Sequence, residues 1–184
     1  MKIKIWGARG SIPVSGQEFV RYGGDTTCIE IETANGNIII VDAGSGIRTL
    51  GNTLLKEGRT EFHFLFSHAH WDHLLGFPFF KPLYRKSSTL QFHGCTFAQE
   101  SIKTILKETM RPPFFPVDLS TVSATLQFTE KCRPEFEIAG LYCQSIPLNH
   151  PNFGYGFRLH EGDNSIAIFP DNELSLSQPN AKPL

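Results

Sequence analysis

The sequence predicts a mixed α/β fold of α+β character, in which layered sheets carry a few helices. Three observations point there. Sixteen phenylalanines accompany sixteen glycines, pairing side chains that suit pleated surfaces with residues that suit tight turns. From Lys2 to Met110, short apolar runs alternate with segments of helical period in the order β-α-β-loop-α. From Val122 onward the pattern becomes successive strands separated by glycine. The length fits one domain, residues 1–184, and 40% hydrophobic content can fill its core.

Each element has a local reason. Lys2 to Trp6 alternates polar and apolar residues and reads as a strand, followed by the glycine-punctuated loop Gly7 to Pro13, which continues through Gly23 to Thr27. Cys28 to Glu32 and Asn37 to Val41 are strands joined by Ala34-Asn35-Gly36, whose Asn-Gly pair favours a hairpin. A helix over Ile47 to Lys56 turns Ile47, Leu50, Leu54 and Leu55 inward and stops at Gly58. Glu61 to Phe66 is a strand, Trp71 to Phe77 a short helix ended by Pro78, Thr89 to His93 a strand and Phe97 to Met110 a helix. The triple-proline stretch Arg111 to Pro116 is a surface loop whose Phe114 and Phe115 either line a pocket or plug a satellite core. Strands then follow over Val122 to Thr129, Glu135 to Ile138, Leu141 to Pro147, Gly154 to His160 and Ser165 to Pro170. Residues 172–184 read as a poorly ordered tail.

Composition narrows the function classes. Seventeen basic against eighteen acidic residues give a net charge of −1, with no strong global attraction to nucleic acid or anionic membrane, which leaves room for a local basic patch. Cys28, Cys95, Cys132 and Cys143 are widely spaced, which excludes a CxxC zinc knuckle or dithiol site and fits reduced thiols. The N-terminus lacks a signal peptide's apolar core and no later run reaches membrane-spanning length, so a cytoplasmic location without membrane contact is expected.

Chemistry concentrates in Ser67-His68-Ala69-His70-Trp71-Asp72-His73, which holds three of the seven histidines and a carboxylate directly after an apolar strand. Imidazole and carboxylate are the preferred ligands of Zn2+, Mn2+ and Fe2+, and a strand that stops before such a cluster holds it at the sheet's exposed end. His150 and Asp171 also follow strands. His63, His93 and His160 read as structural, and Asp42 as a brace for the turn that it opens.

HxHxDH, a downstream histidine and a strand-ending aspartate together resemble the metallo-β-lactamase superfamily. Gly7 to Pro13, Gly23-Gly24-Asp25-Thr26-Thr27-Cys28, Leu148-Asn149-His150-Pro151, Gly154 to Arg158 and Asp171-Asn172-Glu173 resemble its ribonuclease Z-like, cyclic-phosphate phosphodiesterase branch. The resemblance implies a four-layer αββα sandwich with a two-metal site at one edge. It assigns His68, His70 and His150 to one metal, Asp72 and His73 to the other, and Asp171 to the bridge between them. Members of the family normally continue through a further strand and helix to a last histidine, which is not found after His160 here. That implies an abbreviated last region, a weak second site, an uncovered flank and a homo-oligomer, such as a dimer.

The implied cofactors are one or two ions of Zn2+ or Mn2+, with Fe2+ as another candidate. The implied activity is a metal-dependent hydrolase, a phosphodiesterase in which metal-held hydroxide attacks a cyclic nucleotide, a cyclic phosphate or an RNA phosphodiester. Asp72 is the catalytic candidate, orienting the water and assisting proton transfer. Arg9 suits either a phosphate of the substrate or a surface ion pair. Two alternatives stay open: a truncated, weakly active or inactive metal-binding protein, and a lactone or thioester hydrolase.

Overall fold

The computed structural model describes residues 1–94, 101–129 and 133–173. Among them, two sheets pack face to face. The first has six strands: β1 (Lys2–Gly7), β2 (Cys28–Glu32), β3 (Ile38–Val41), β4 (Glu61–Leu65), β5 (Thr89–His93) and β6 (Thr125–Thr129), in that spatial order. β1 to β3 form an antiparallel meander, whereas β3 to β6 run parallel. The second sheet orders β10 (Asn164–Ile168), β9 (Tyr155–Glu161), β8 (Leu141–Pro147) and β7 (Glu135–Ile138), all antiparallel.

Parallel strands are covered on both faces and so read as continuous apolar runs. Ile38-Ile39-Ile40-Val41 is buried at every position, and Phe62 to Leu65 likewise. Their alternate side chains feed two cores. On one face Ile38, Ile40, Phe62, Phe64 and Phe92 meet α1 (Ile47–Lys56) and Leu106 of α3 (Ile102–Thr109). On the other, Ile39, Val41 and Leu65 meet Leu141, Cys143, Phe157 and Leu159 of the second sheet. The phenylalanines fill the first core through edge-to-face and stacked contacts, such as Phe62 on Phe80 and Phe92 on Phe128.

These are three layers, one of helices and two of sheet. A helix on the outer face of the second sheet, the fourth layer of an αββα sandwich, is not found among the described residues. There Tyr142 and Ile146 are exposed beside Glu135, Glu137 and Arg158. No helix among the described residues is long and apolar enough to cross a membrane.

Most elements follow their sequence pattern, including the hairpin at Gly36 (φ 79°) and the stop of α1 at Gly58 (φ 72°). Two boundaries move for tertiary reasons. The helix after the histidine motif, α2, spans only Trp71–Leu74, because the Gly76 amide donates to the Ala43 carbonyl (2.9 Å). Pro78 then lies within the 3-10 turn Phe77–Phe79 instead of ending α2. β6 begins at Thr125, not Val122, since pairing starts only where the chain runs beside β5 and residues Leu119–Thr121 form a 3-10 turn.

The proline-rich loop divides its two phenylalanines. Phe115 packs on the first core and meets Phe79 edge-on at 5.7 Å, while Phe114 is 71% exposed. Cys28 and Cys143 are buried free thiols whose pKa values burial pushes up, that of Cys143 to about 12. Cys95, Cys132, residues 97–100 of the expected helix and 174–184 of the expected tail lie outside the described residues.

Candidate metal centre

Strand direction gathers the site. β3 and β4 are parallel neighbours, so Asp42 and the motif starting at Ser67 leave the same end of the first sheet. β8 and β10 flank β9 and are both antiparallel to it, so they run the same way and deliver His150 and Asp171 at one edge. The Tyr155 amide donates to the Ser67 carbonyl (2.7 Å), joining the two edges beside the motif.

All six residues expected to hold metal converge. His68, His70, His150 and Asp171 form one donor group, and Asp72, His73 and Asp171 a second, with the ligand atoms of each within 4.8 Å of one another. The spacings suit an ion. In a tetrahedron with bonds near 2.1 Å, donors stand about 3.4 Å apart. Here His70 Nδ1 is 3.0 Å from His150 Nε2, and Asp171 Oδ2 is 3.6 Å from His68 Nε2 and 3.8 Å from His150 Nε2. In the second group, His73 Nε2 lies 3.5 Å from Asp72 Oδ2 and 3.3 Å from Asp171 Oδ2. His68 Nε2 is buried with no hydrogen-bond partner, an expensive arrangement for a polar atom unless a cation takes its lone pair. The donor set therefore fits a divalent ion, with three imidazoles and a shared carboxylate at the first position.

Three of the histidines are held from behind. His68 Nδ1 meets Ser67 Oγ (3.0 Å) and His150 Nδ1 meets Glu173 Oε1 (3.1 Å). His73 Nδ1 sits 2.8 Å from Asp42 Oδ2, both side chains being fully buried. Such partners set the ring tautomer and orientation of a ligand. Asp42 also accepts from the Ser67 amide and hydroxyl, each at 2.7 Å. The Ser11 amide donates to Asp72 Oδ2 (2.7 Å), which ties the Gly7 to Pro13 loop to the site.

Electrostatics separate the two groups. Burial, reinforced by His73, pulls His68 down to about 4. Burial also opposes charge on His73, but its bonds to Asp171 and Asp42 outweigh this and raise it to about 10. The bond to His73 holds Asp171 below its ordinary range. Ser11, Asp42, Asn152, Phe153 and Asp171 all have positive φ, between 50° and 70°. Unfavourable backbone is thus concentrated around the site, as is common where geometry must be held.

Close packing carries the motif helix. A Cβ on Gly44 would stand 2.4 Å from the Asp72 carbonyl oxygen, and one on Gly76 would stand 2.0 Å from that of Gly44. The Gly23 to Thr27 segment serves the same turn. The Thr26 hydroxyl accepts from the Ser45 amide (2.8 Å) and Ser45 Oγ from the Thr26 amide (3.0 Å).

Arg9 lies outside this convergence. It is exposed, with its guanidinium over the Phe19 ring at 5.6 Å. Ser11, Ser67 and Glu173 carry no signal of their own in the sequence, because each acts through a neighbour that only the fold supplies. Asp42 does more than brace its turn, and its place where a strand ends in Asp-Ala-Gly is the signal that the sequence carries for it.

No protein-family model and no curated protein sequence matches the chain. Solved structures do. The metallo-β-lactamase fold protein YhfI from Bacillus subtilis superposes with a TM-score of 0.61 at 14% identity, covering 90% of this chain and 59% of that one. A diphosphatase from the PhnP family gives 0.58 at 16%, with 85% and 61% covered. Human tRNase Z, short form, gives 0.61 at 16%, with 94% and 72% covered. The fold is the metallo-β-lactamase fold. The chain spans less than two thirds of the length of the first two structures.

Proposed function

We propose that this chain, which has the metallo-β-lactamase fold, is a metal-dependent hydrolase of phosphodiesters. The observation that carries the reading is the pair of donor groups sharing Asp171, with His68, His73 and His150 each braced from behind. Phosphoryl chemistry is supported by the fold's company, since one similar structure is a diphosphatase and another a tRNase Z. Cyclic nucleotides, cyclic phosphates and RNA phosphodiesters are the candidate substrates.

His68, His70, His150 and Asp171 would hold one ion, and Asp72, His73 and Asp171 a second, with Zn2+ or Mn2+ the candidates from donor type. Bound divalent ions lower the pKa of water from 15.7 towards about 7 and stabilise charge on phosphoryl oxygens. The chain's own residues do the positioning. Asp72, held by the Ser11 amide, offers a carboxylate that can orient water and carry a proton to the leaving group. Arg9, on the loop that contains Ser11, is the candidate cation for the substrate's phosphate.

The test is hydrolysis of bis(p-nitrophenyl) phosphate by protein loaded with Zn2+ or Mn2+, with metal content measured alongside. The expected result is metal-dependent turnover that His68→Ala abolishes. Turnover that is absent, or insensitive to that change, would sink the proposal. One bound ion per chain without turnover would favour a metal-binding protein, and a lactone or thioester preference would favour carbonyl chemistry.

A further inference from the structure

A cavity of about 620 Å³ has as one wall Ala69 and Trp71, which alternate along the motif with the donors His68, His70 and Asp72. Its volume is that of a small-molecule site. Leu74, Ile105 and Phe114 extend the apolar lining, Thr104 and Thr109 add hydroxyls, and Glu108 is the one charged residue among the described residues of the lining. Glu108 is itself paired with Arg111 (2.6 Å). Trp71 and Phe114, 65% and 71% exposed, are large aromatic surfaces left open to solvent at this cavity.

The distribution of charge bears on the occupant. Lys103 and Lys107, the lysines of α3, line a different hollow with Leu119 and Phe128, away from this one. A site for a polynucleotide needs cations along its path to meet successive phosphates. Among the described residues this lining offers none, the nearby Arg111 being paired with Glu108, and it offers instead two aromatic faces of the kind on which a planar ring stacks.

Resting on the hydrolase reading above, we propose that the cavity is a specificity pocket for one uncharged aromatic group, such as an aryl ester or a single base, carried by a small phosphodiester. The substrate's anionic group would lie at His68, His70 and His150, and its ring between Trp71 and Phe114. The preferred substrate is then a small aromatic phosphodiester and not an RNA chain.

Phenylphosphonate and methylphosphonate separate these contributions, because they share an anion and differ by the ring. Calorimetric titration of the zinc-loaded protein should show phenylphosphonate binding about tenfold tighter or more, the expectation for burying one ring. Phe114→Ala, a change at an exposed position, should shrink that preference by at least roughly threefold while leaving methylphosphonate affinity in place. Equal affinities, or a preference that survives Phe114→Ala, would overturn the pocket and leave the hydrolase reading standing. Failure of both phosphonates to bind in a zinc-dependent way would overturn both.

Discussion

Asp42 Oδ2 stands 2.8 Å from His73 Nδ1, and neither side chain is accessible to solvent. One carboxylate therefore orients a ligand of the second donor group while also accepting two bonds from Ser67, whose hydroxyl meets His68 of the first. Asp42→Asn keeps the shape but not the charge. It should weaken binding of the second ion by roughly 10–100-fold, the usual effect of losing such a partner. Metal titration monitored by calorimetry checks this, and unchanged affinity would remove Asp42 from the centre.

The contact between Gly44 and Gly76 leaves no space for a side chain. Gly44→Ala would place its Cβ against the Asp72 carbonyl, so the motif helix must shift. Chemical denaturation should show a loss of about 1–3 kcal/mol, as overpacking typically costs. Metal affinity should fall with it, and a variant as stable as the parent would show that the turn yields freely.

His63 and His93 give a pH dependence separate from the metal ligands. Their rings lie 3.1 Å apart between Nδ1 and Nε2, and burial holds both below the ordinary value, His93 at about 4. A depressed histidine pKa means that the unfolded chain takes up protons first. The stability from neutral burial is complete above about pH 6.5 and is lost as pH falls towards 4. The bound per histidine is about 1.4 kcal/mol per pH unit, lessened where solvent reaches His93. Urea melts of chelated protein at pH 7 and pH 5 should show the fall, with a shallower slope for His93→Gln. Equal slopes would contradict it.

Removing bound metal should lower the melting temperature. A ligand that binds only the folded state at a hundred times its Kd contributes about 2.7 kcal/mol. Thermal melts before and after chelation, with recovery on adding back Zn2+, measure this. No shift would mean that the donor groups hold no ion.

What the sequence made legible was local. HxHxDH announces ligands because all four side chains lie on one turn and one short helix, and the β3 and β4 runs announce buried parallel strands through composition alone. What escaped was relational. Glu173 matters through His150 and Ser11 through Asp72, 61 residues away, and neither pairing leaves a periodic trace. The end of α2 is relational too, since a carbonyl at Ala43 takes the Gly76 amide that would prolong the helix.

His70 and His150, 80 residues apart, follow strands of different sheets, yet their ring nitrogens meet at 3.0 Å. An ion between them would be a clasp that closes only after both sheets have formed and docked. Its release rate would then report how often the sheets part, making metal exchange a clock for the breathing of the sandwich.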